Sequence, residues 1–127
     1  MIYGVGTDLI EIKRVEGVLR RFGERFAKRI LCDEELEQFR AHGQPSHFLA
    51  KRFAAKEAFT KALGTGIHAP ANWHGVWVIN LKSGKPQLEF SKDLQELLRQ
   101  RNIHRSHLSL TDEKDIASAT VILECGG

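Results

Sequence analysis

The opening apolar run, Ile2 to Thr7, reads as a strand, and its two glycines, Gly4 and Gly6, constrain the fold more than any other feature of the chain. Glycine weakens a strand and offers no side chain to pack. Two in one short strand imply a bulge, or a close approach by another backbone or a ligand. Asp8 closes this strand and is well placed to start the next element.

From Ile12 to Phe22 the apolar residues Ile12, Val15, Leu19 and Phe22 recur with helical spacing. Gly23 is where that helix ends or kinks, and Phe26 and Ile30 carry the apolar pattern on. Asp33 suits the N-cap of a second helix to about Ala41, with Glu34 and Glu35 in its first turn. Ser46 suits the N-cap of a third, longer helix to about Leu63, with Phe48, Ala55, Phe59 and Leu63 as its packing stripe. Beyond Gly64-Thr65-Gly66, the pattern predicts strands from Val76 to Leu81 and from Gln87 to Phe90 around a Ser83–Pro86 turn. A helix capped by Ser91 then runs to about Arg101, and strands from His107 to Leu110 and from Ala117 to Leu123 end the chain. About five strands and four helices describe an α+β fold. The expectation is a single small domain over residues 1–127, with an antiparallel-type sheet packed against a long central helix and shorter helices.

The net charge is +3, and the whole excess lies before Gly64. Lys13, Arg14, Arg20, Arg21, Arg25, Lys28 and Arg29 face only Glu16 and Glu24 in the same stretch. Such a field attracts an acidic partner, which could be nucleic acid, a phosphate-rich ligand or an acidic protein; a solvated helix face is the plain alternative. If the first helix continues past Gly23, Arg14, Arg21, Arg25 and Lys28 fall within about 60° of one another; if it breaks, only Arg14 and Arg21 are sure to share a face. The neutral second half and the lack of an aromatic RNA-binding signature argue against a nucleic-acid partner. Cys32 and Cys125 show no metal-type spacing and are expected to be reduced thiols. The apolar stretch after Met1 is soon broken by Asp8 and Glu11, so neither a signal peptide nor a membrane span is expected, and the expected location is the cytoplasm.

The third helix carries the sharpest chemical signal, Phe53-Ala54-Ala55-Lys56-Glu57-Ala58-Phe59-Thr60-Lys61. Glu57 and Lys61 share a face, with the small residues Ala50 and Ala54 on the same side. A carboxylate one turn from a cation suits either an ordinary helix ion pair or a metal–phosphate site. Asp8 bears on that choice. Mg²⁺ takes one or two carboxylates with waters and substrate phosphates, so Asp8 and Glu57 are enough if the fold joins them. Gly64-Thr65-Gly66 comes after a helix and so is no P-loop; a C-cap is its simple reading. His107 and Ser109 share one face of their strand. His42, His47, His68, His74 and His104 show no metal-binding spacing.

Two motifs resemble the holo-acyl-carrier-protein synthases, the small bacterial 4′-phosphopantetheinyl transferases. They are Val5-Gly6-Thr7-Asp8, like the family's Gly-x-Asp, and Phe53 to Lys61, like its aromatic, two residues, Lys-Glu-Ala, two residues, Lys. The likeness extends over Phe48 to Arg52, Gly64 to Gly66, Gly84 to Pro86 and His107 to Glu113. It implies a transferase that uses Mg²⁺ to move phosphopantetheine from coenzyme A to a serine of acyl carrier protein, in fatty acid biosynthesis. By the same resemblance Asp8 and Glu57 hold the metal and, with Lys61, carry catalysis. Lys56, Lys61, Gly64, Thr65, Gly66, His107, Ser109 and Thr111 line the coenzyme site. Arg14, Arg21 and Arg25 dock the acidic carrier, and the chain forms a homotrimer with active sites between subunits. Asp112 stands where many members have a histidine.

Overall fold

A computed structural model describes residues 1–126. Strand β1 (Ile2–Glu11) leads into helices α1 (Ile12–Phe22), α2 (Glu24–Ile30), α3 (Asp33–Ala41) and α4 (Pro45–Leu63). Strands β2 (Val76–Asn80) and β3 (Pro86–Phe90), helix α5 (Lys92–Gln100) and strands β4 (Ile103–Asp112) and β5 (Ile116–Cys125) complete the order. The sheets are antiparallel: β5 lies between β1 and β4 in a three-stranded sheet, and β2 and β3 form a separate hairpin. The α+β expectation holds.

Several boundaries differ from those the sequence predicts, for physical reasons. Pairing with β5 continues to Glu11↔Ile116, so β1 runs past Thr7 and Asp8 lies inside a strand, not at its end. Gly23 takes φ 61°, ψ −148°, which breaks the first helix and gives five helices instead of four. Cys32 and Gln44, not Asp33 and Ser46, are the N-caps of α3 and α4; Pro45 opens α4, where its missing N–H costs nothing. Ser91 does cap α5, its Oγ accepting from the Leu94 amide at 3.3 Å.

Helix α4 is the axis of the molecule. One side packs Ala54, Ala58, Phe59 and Leu63 against the three-stranded sheet, the hairpin and α5; the other packs Phe48, Leu49 and Ala50 against α1–α3. A helix with core on both sides has no single apolar stripe, and Phe48, Ala55, Phe59 and Leu63 are only part of its buried surface. The glycines explain how it comes so near β1. A Cβ on Gly4 would fall on the Ala62 carbonyl, and one on Gly6 on the Ala58 carbonyl. Both readings of this glycine pair are met: the α4 backbone comes close at both positions, and the β1–β5 register also slips between Ile2 and Gly4.

Candidate active site

Gly4 meets Ala62 and Gly6 meets Ala58, so strand and helix run in opposite directions with matched steps. Two strand residues advance about 6.8 Å and four helical residues about 6 Å. The next position on that face of β1 is Asp8, level with Ala54, where the side chains of Glu57 and Lys61 from the following turns of α4 come near it. Lys61 Nζ donates to Asp8 Oδ1 at 3.1 Å and to the Thr7 carbonyl at 3.0 Å. Partial burial pushes the Glu57 carboxyl above the ordinary range; the charge of Asp8 adds to this and Lys61 opposes it. Two carboxylates are thus near enough for the charge of Asp8 to oppose ionisation of Glu57, with the one cation bound to Asp8, so the site is short of positive charge.

This donor set fits Mg²⁺. Among the described residues no group of three or more His, Cys, Asp or Glu side chains could cage a metal. Two carboxylates suit an ion that draws its remaining ligands from water and phosphate. Gly64, Thr65 and Gly66 leave the last turn of the same helix. Gly64 and Gly66 turn at φ 90° and 67°, with open space where a side chain would stand. The loop begins three residues after Lys61, with Gly64 and Gly66 exposed.

The other expected coenzyme residues separate. Lys56 requires a correction. Its ammonium is fully buried and donates at 2.7 Å each to Glu35 Oε1, the Ile30 carbonyl and the Trp73 carbonyl. An ammonium has three donors, so none remains for a phosphate. Glu35 is equally buried and also accepts from the Val78 amide at 3.0 Å. Burial lowers the Lys56 pKa while Glu35 pulls it back up. His107, Ser109 and Thr111 lie on the outer face of β4, where His107 Nε2 sits 2.7 Å from Glu124 Oε2. Ser109 pairs with Thr120, and Thr120 with Thr7, so these residues occupy the face opposite to Asp8. A single chain does not bring them to the Asp8 site.

Arg14, Arg21 and Arg25 are all exposed on the α1–α2 surface. Arg14 and Arg21 border a groove with Val18 and Phe22; Arg25 and Arg29 border its neighbour with the same Val18 and Phe22. The break at Gly23 thus leaves the arginines around one apolar centre, and Phe22 keeps 46% of its surface exposed.

Sequence reasoning missed a second polar cavity of about 430 Å³, bordered by Lys51, Arg52, Asn80, Gly84, Pro86 and Leu110. Arg52 Nη2 donates to Asn80 Oδ1 at 3.3 Å, its guanidinium lies 4.5 Å from the centre of the Phe48 ring, and its buried Nε, without a hydrogen bond among the described residues, lies 3.5 Å from Glu35 Oε2. The signal was present in Phe48 to Arg52 and Gly84 to Pro86, but nothing in their spacing joins them. Beside this cavity Asp112 accepts from Lys51 at 3.4 Å and lies 2.9 Å from His47 Nδ1. The His47 contact, more than Lys51, holds the Asp112 carboxyl below its ordinary range. An imidazole therefore stands next to position 112 although the residue there is an aspartate.

This architecture and site define a class. Residues 4–121 match the family described as the 4′-phosphopantetheinyl transferase superfamily. Holo-[acyl-carrier-protein] synthases of Nitrosomonas europaea and Vibrio cholerae are 50% and 56% identical over 124 residues, 98% of this chain and 99% and 98% of theirs. The crystal structure of the synthase from Neisseria meningitidis superimposes with a TM-score of 0.94 at 44% identity, covering 98% of this chain and 99% of that one. That of Bacillus anthracis, in complex with CoA (3′,5′-ADP), gives 0.83 at 36% identity, covering 99% of each. The chain belongs to the 4′-phosphopantetheinyl transferase superfamily and, within it, to the holo-[acyl-carrier-protein] synthases. It is an enzyme, a phosphopantetheinyl transferase.

Proposed function

We propose that this enzyme transfers 4′-phosphopantetheine from coenzyme A to a serine of an acidic apo acyl carrier protein, in a Mg²⁺-dependent reaction that releases adenosine 3′,5′-bisphosphate. The observation that carries the reading is the meeting of Asp8, Glu57 and Lys61 across β1 and α4. The serine oxygen bonds to the β-phosphorus of the coenzyme, the bond from that phosphorus to the bridging oxygen breaks, and the serine proton is lost to a base. Positioning and charge neutralisation are the protein's task in such a transfer.

Asp8 and Glu57 would hold Mg²⁺, which when bound supplies Lewis acidity and a template for the pyrophosphate. Lys61 would exchange its contact with Asp8 for a phosphate oxygen and balance the charge that develops there. A carboxylate at the site, such as Glu57, would take the serine proton. The basic rim of Arg14, Arg21 and Arg25 around Val18 and Phe22 suits an acidic carrier helix with apolar residues at its centre.

A homotrimer with shared active sites accounts for two further observations. Tyr3, Val5 and Leu9 leave an apolar patch exposed on the outer face of β1. His107, Ser109 and Thr111 reach an Asp8 site only if it belongs to a second copy. The cavity at Arg52 and Asn80 would take the nucleotide end of the coenzyme. No helix among the described residues is long and apolar enough to cross a membrane. The proposed reaction would supply carrier protein for fatty acid synthesis in the cytoplasm.

The test is the intact mass of an apo acyl carrier protein incubated with the enzyme, coenzyme A and Mg²⁺, with a chelator control. A gain of one phosphopantetheine arm, abolished by the chelator, is expected. An unmodified carrier, alongside full modification by a known transferase, would reject the reading.

A further inference from the structure

Arg101 stands at the C-cap of α5, and its side chain reaches the end of α4. Nη1 donates to the carbonyl of Leu63, the last residue of α4, at 3.0 Å, and to the Tyr3 hydroxyl at 3.0 Å. This joins the helix end to β1 immediately before the Gly64–Thr65–Gly66 loop. The location matters because it is the wrong end of a helix for a phosphate. The last carbonyls of an α-helix are unpaired and carry the negative end of its dipole, and phosphate sites use the opposite end. The Gly64 and Thr65 amides both donate to the Thr60 carbonyl, which satisfies one of those carbonyls. Arg101 satisfies Leu63 and brings a full positive charge with it.

We propose that Arg101 is a positioning residue for coenzyme A: it cancels the negative end of α4 and pins the first peptide of the Gly64–Gly66 loop against β1, so that this helix end accepts an anion. The inference rests on the proposed function for the identity of the anion. It assigns to α5 a role that no motif of the chain displays. Lys61 would then have an electrostatic ally at the same helix end, supplied from another element.

The test is titration of coenzyme A, with Mg²⁺ present, into the wild type, Arg101→Gln and Arg101→Lys at low and high salt, together with steady-state kinetics. Arg101→Gln keeps a donor and loses the charge. It should weaken coenzyme binding about two- to fivefold at low salt, with the deficit closing as salt rises. Its kcat and its KM for the carrier should not change. Arg101→Lys should bind like the wild type. The proposal is overturned if Arg101→Gln binds as tightly as wild type, if Arg101→Lys is as weak as Arg101→Gln, or if kcat and the carrier KM deteriorate in step with coenzyme affinity. A wild-type protein that binds no coenzyme A would reject the proposed function and this inference together. One that binds it but modifies no carrier would reject only the former.

Discussion

Two lysine–carboxylate pairs hang from α4 little more than one turn apart, and they differ in nearly everything but chemistry. Lys56 meets Glu35 in the core, with side-chain exposures of 0% and 1%. Lys61 meets Asp8 at the surface, with exposures of 53% and 15%. Residues 56 and 57 point about 100° apart on a helix, which sends Lys56 toward α3 and the hairpin, and Glu57 with Lys61 toward β1. In the core each lysine donor has its acceptor, so the pair is closed and can do nothing further. At the surface the lysine pairs with Asp8 alone, and Glu57 beside them, partly buried and facing the Asp8 charge, resists ionisation. The closed pair joins α2, α3, α4 and the segment at Trp73; the open one keeps its lysine half exposed. Solvation decides which pair is structural.

The largest effect expected is on the closed pair. Glu35→Ala leaves the Lys56 charge buried without its carboxylate and should cost about 3–5 kcal/mol of stability, read as the denaturation midpoint in urea. The double change Glu35→Leu with Lys56→Met should recover only part of that loss, because it removes the unpaired buried charge but leaves the Ile30 and Trp73 carbonyls and the Val78 amide without their partners. A single variant as stable as wild type would erase the contrast between the two sites. On the open pair the expectations reverse. Asp8→Ala or Glu57→Ala should leave the urea midpoint close to wild type while Mg²⁺-dependent transfer falls at least about a hundredfold. Near-normal rates in both variants would remove the metal assignment.

The open site was largely legible in the chain, and the closed one was not. Glu57 and Lys61 lie four apart, and a spacing within one helix is visible in one dimension. Gly4 and Gly6 announced that something would press on β1, although only the structure identifies it as the backbone of α4 at Ala58 and Ala62. Lys56 sits in the same motif as Glu57, and nothing in the spacing reveals that Glu35 will meet it. Burial is a property of the assembled core. The same limit hid Arg52 with Asn80 and His47 with Asp112, pairs separated by 28 and 65 residues that only tertiary packing joins. The extent of β1 escaped because Asp8 reads as a terminator locally, whereas the β5 ladder carries the strand on to Glu11.

The proposed carrier-docking surface extends the comparison to exposed arginines, of which Arg21 lies over the Phe22 ring, 5.1 Å from its centre. Reversing Arg14 and Arg21 to Glu should weaken carrier binding about tenfold at low salt and flatten its salt dependence, since exposed charges act mainly through steering and long-range attraction. Stability and coenzyme affinity should remain as in the wild type. An unchanged dissociation constant at low salt would move the docking surface elsewhere.

The smallest expected effect separates the two pairs most sharply, because it has opposite signs in them. Glu57 has a raised pKa in the folded state, so its ionised form opposes folding: the stability associated with this group is fully present below the ordinary glutamate range and is lost as pH rises through the raised value. Glu57→Gln should therefore raise Tm slightly at pH 7–8 and change nothing at low pH, whereas Glu35→Gln should lower Tm, since Lys56 needs that carboxylate. Mg²⁺ should raise the Tm of the wild type at pH 7–8 by binding the folded state, and the gain should fade as Glu57 is protonated. Glu57→Gln should lose much of that gain. A Glu57→Gln variant that is less stable than wild type at pH 8 would mean that the carboxylate serves the fold. The surface pair would then be a second structural ion pair, and the charge deficit expected to draw the metal would not exist.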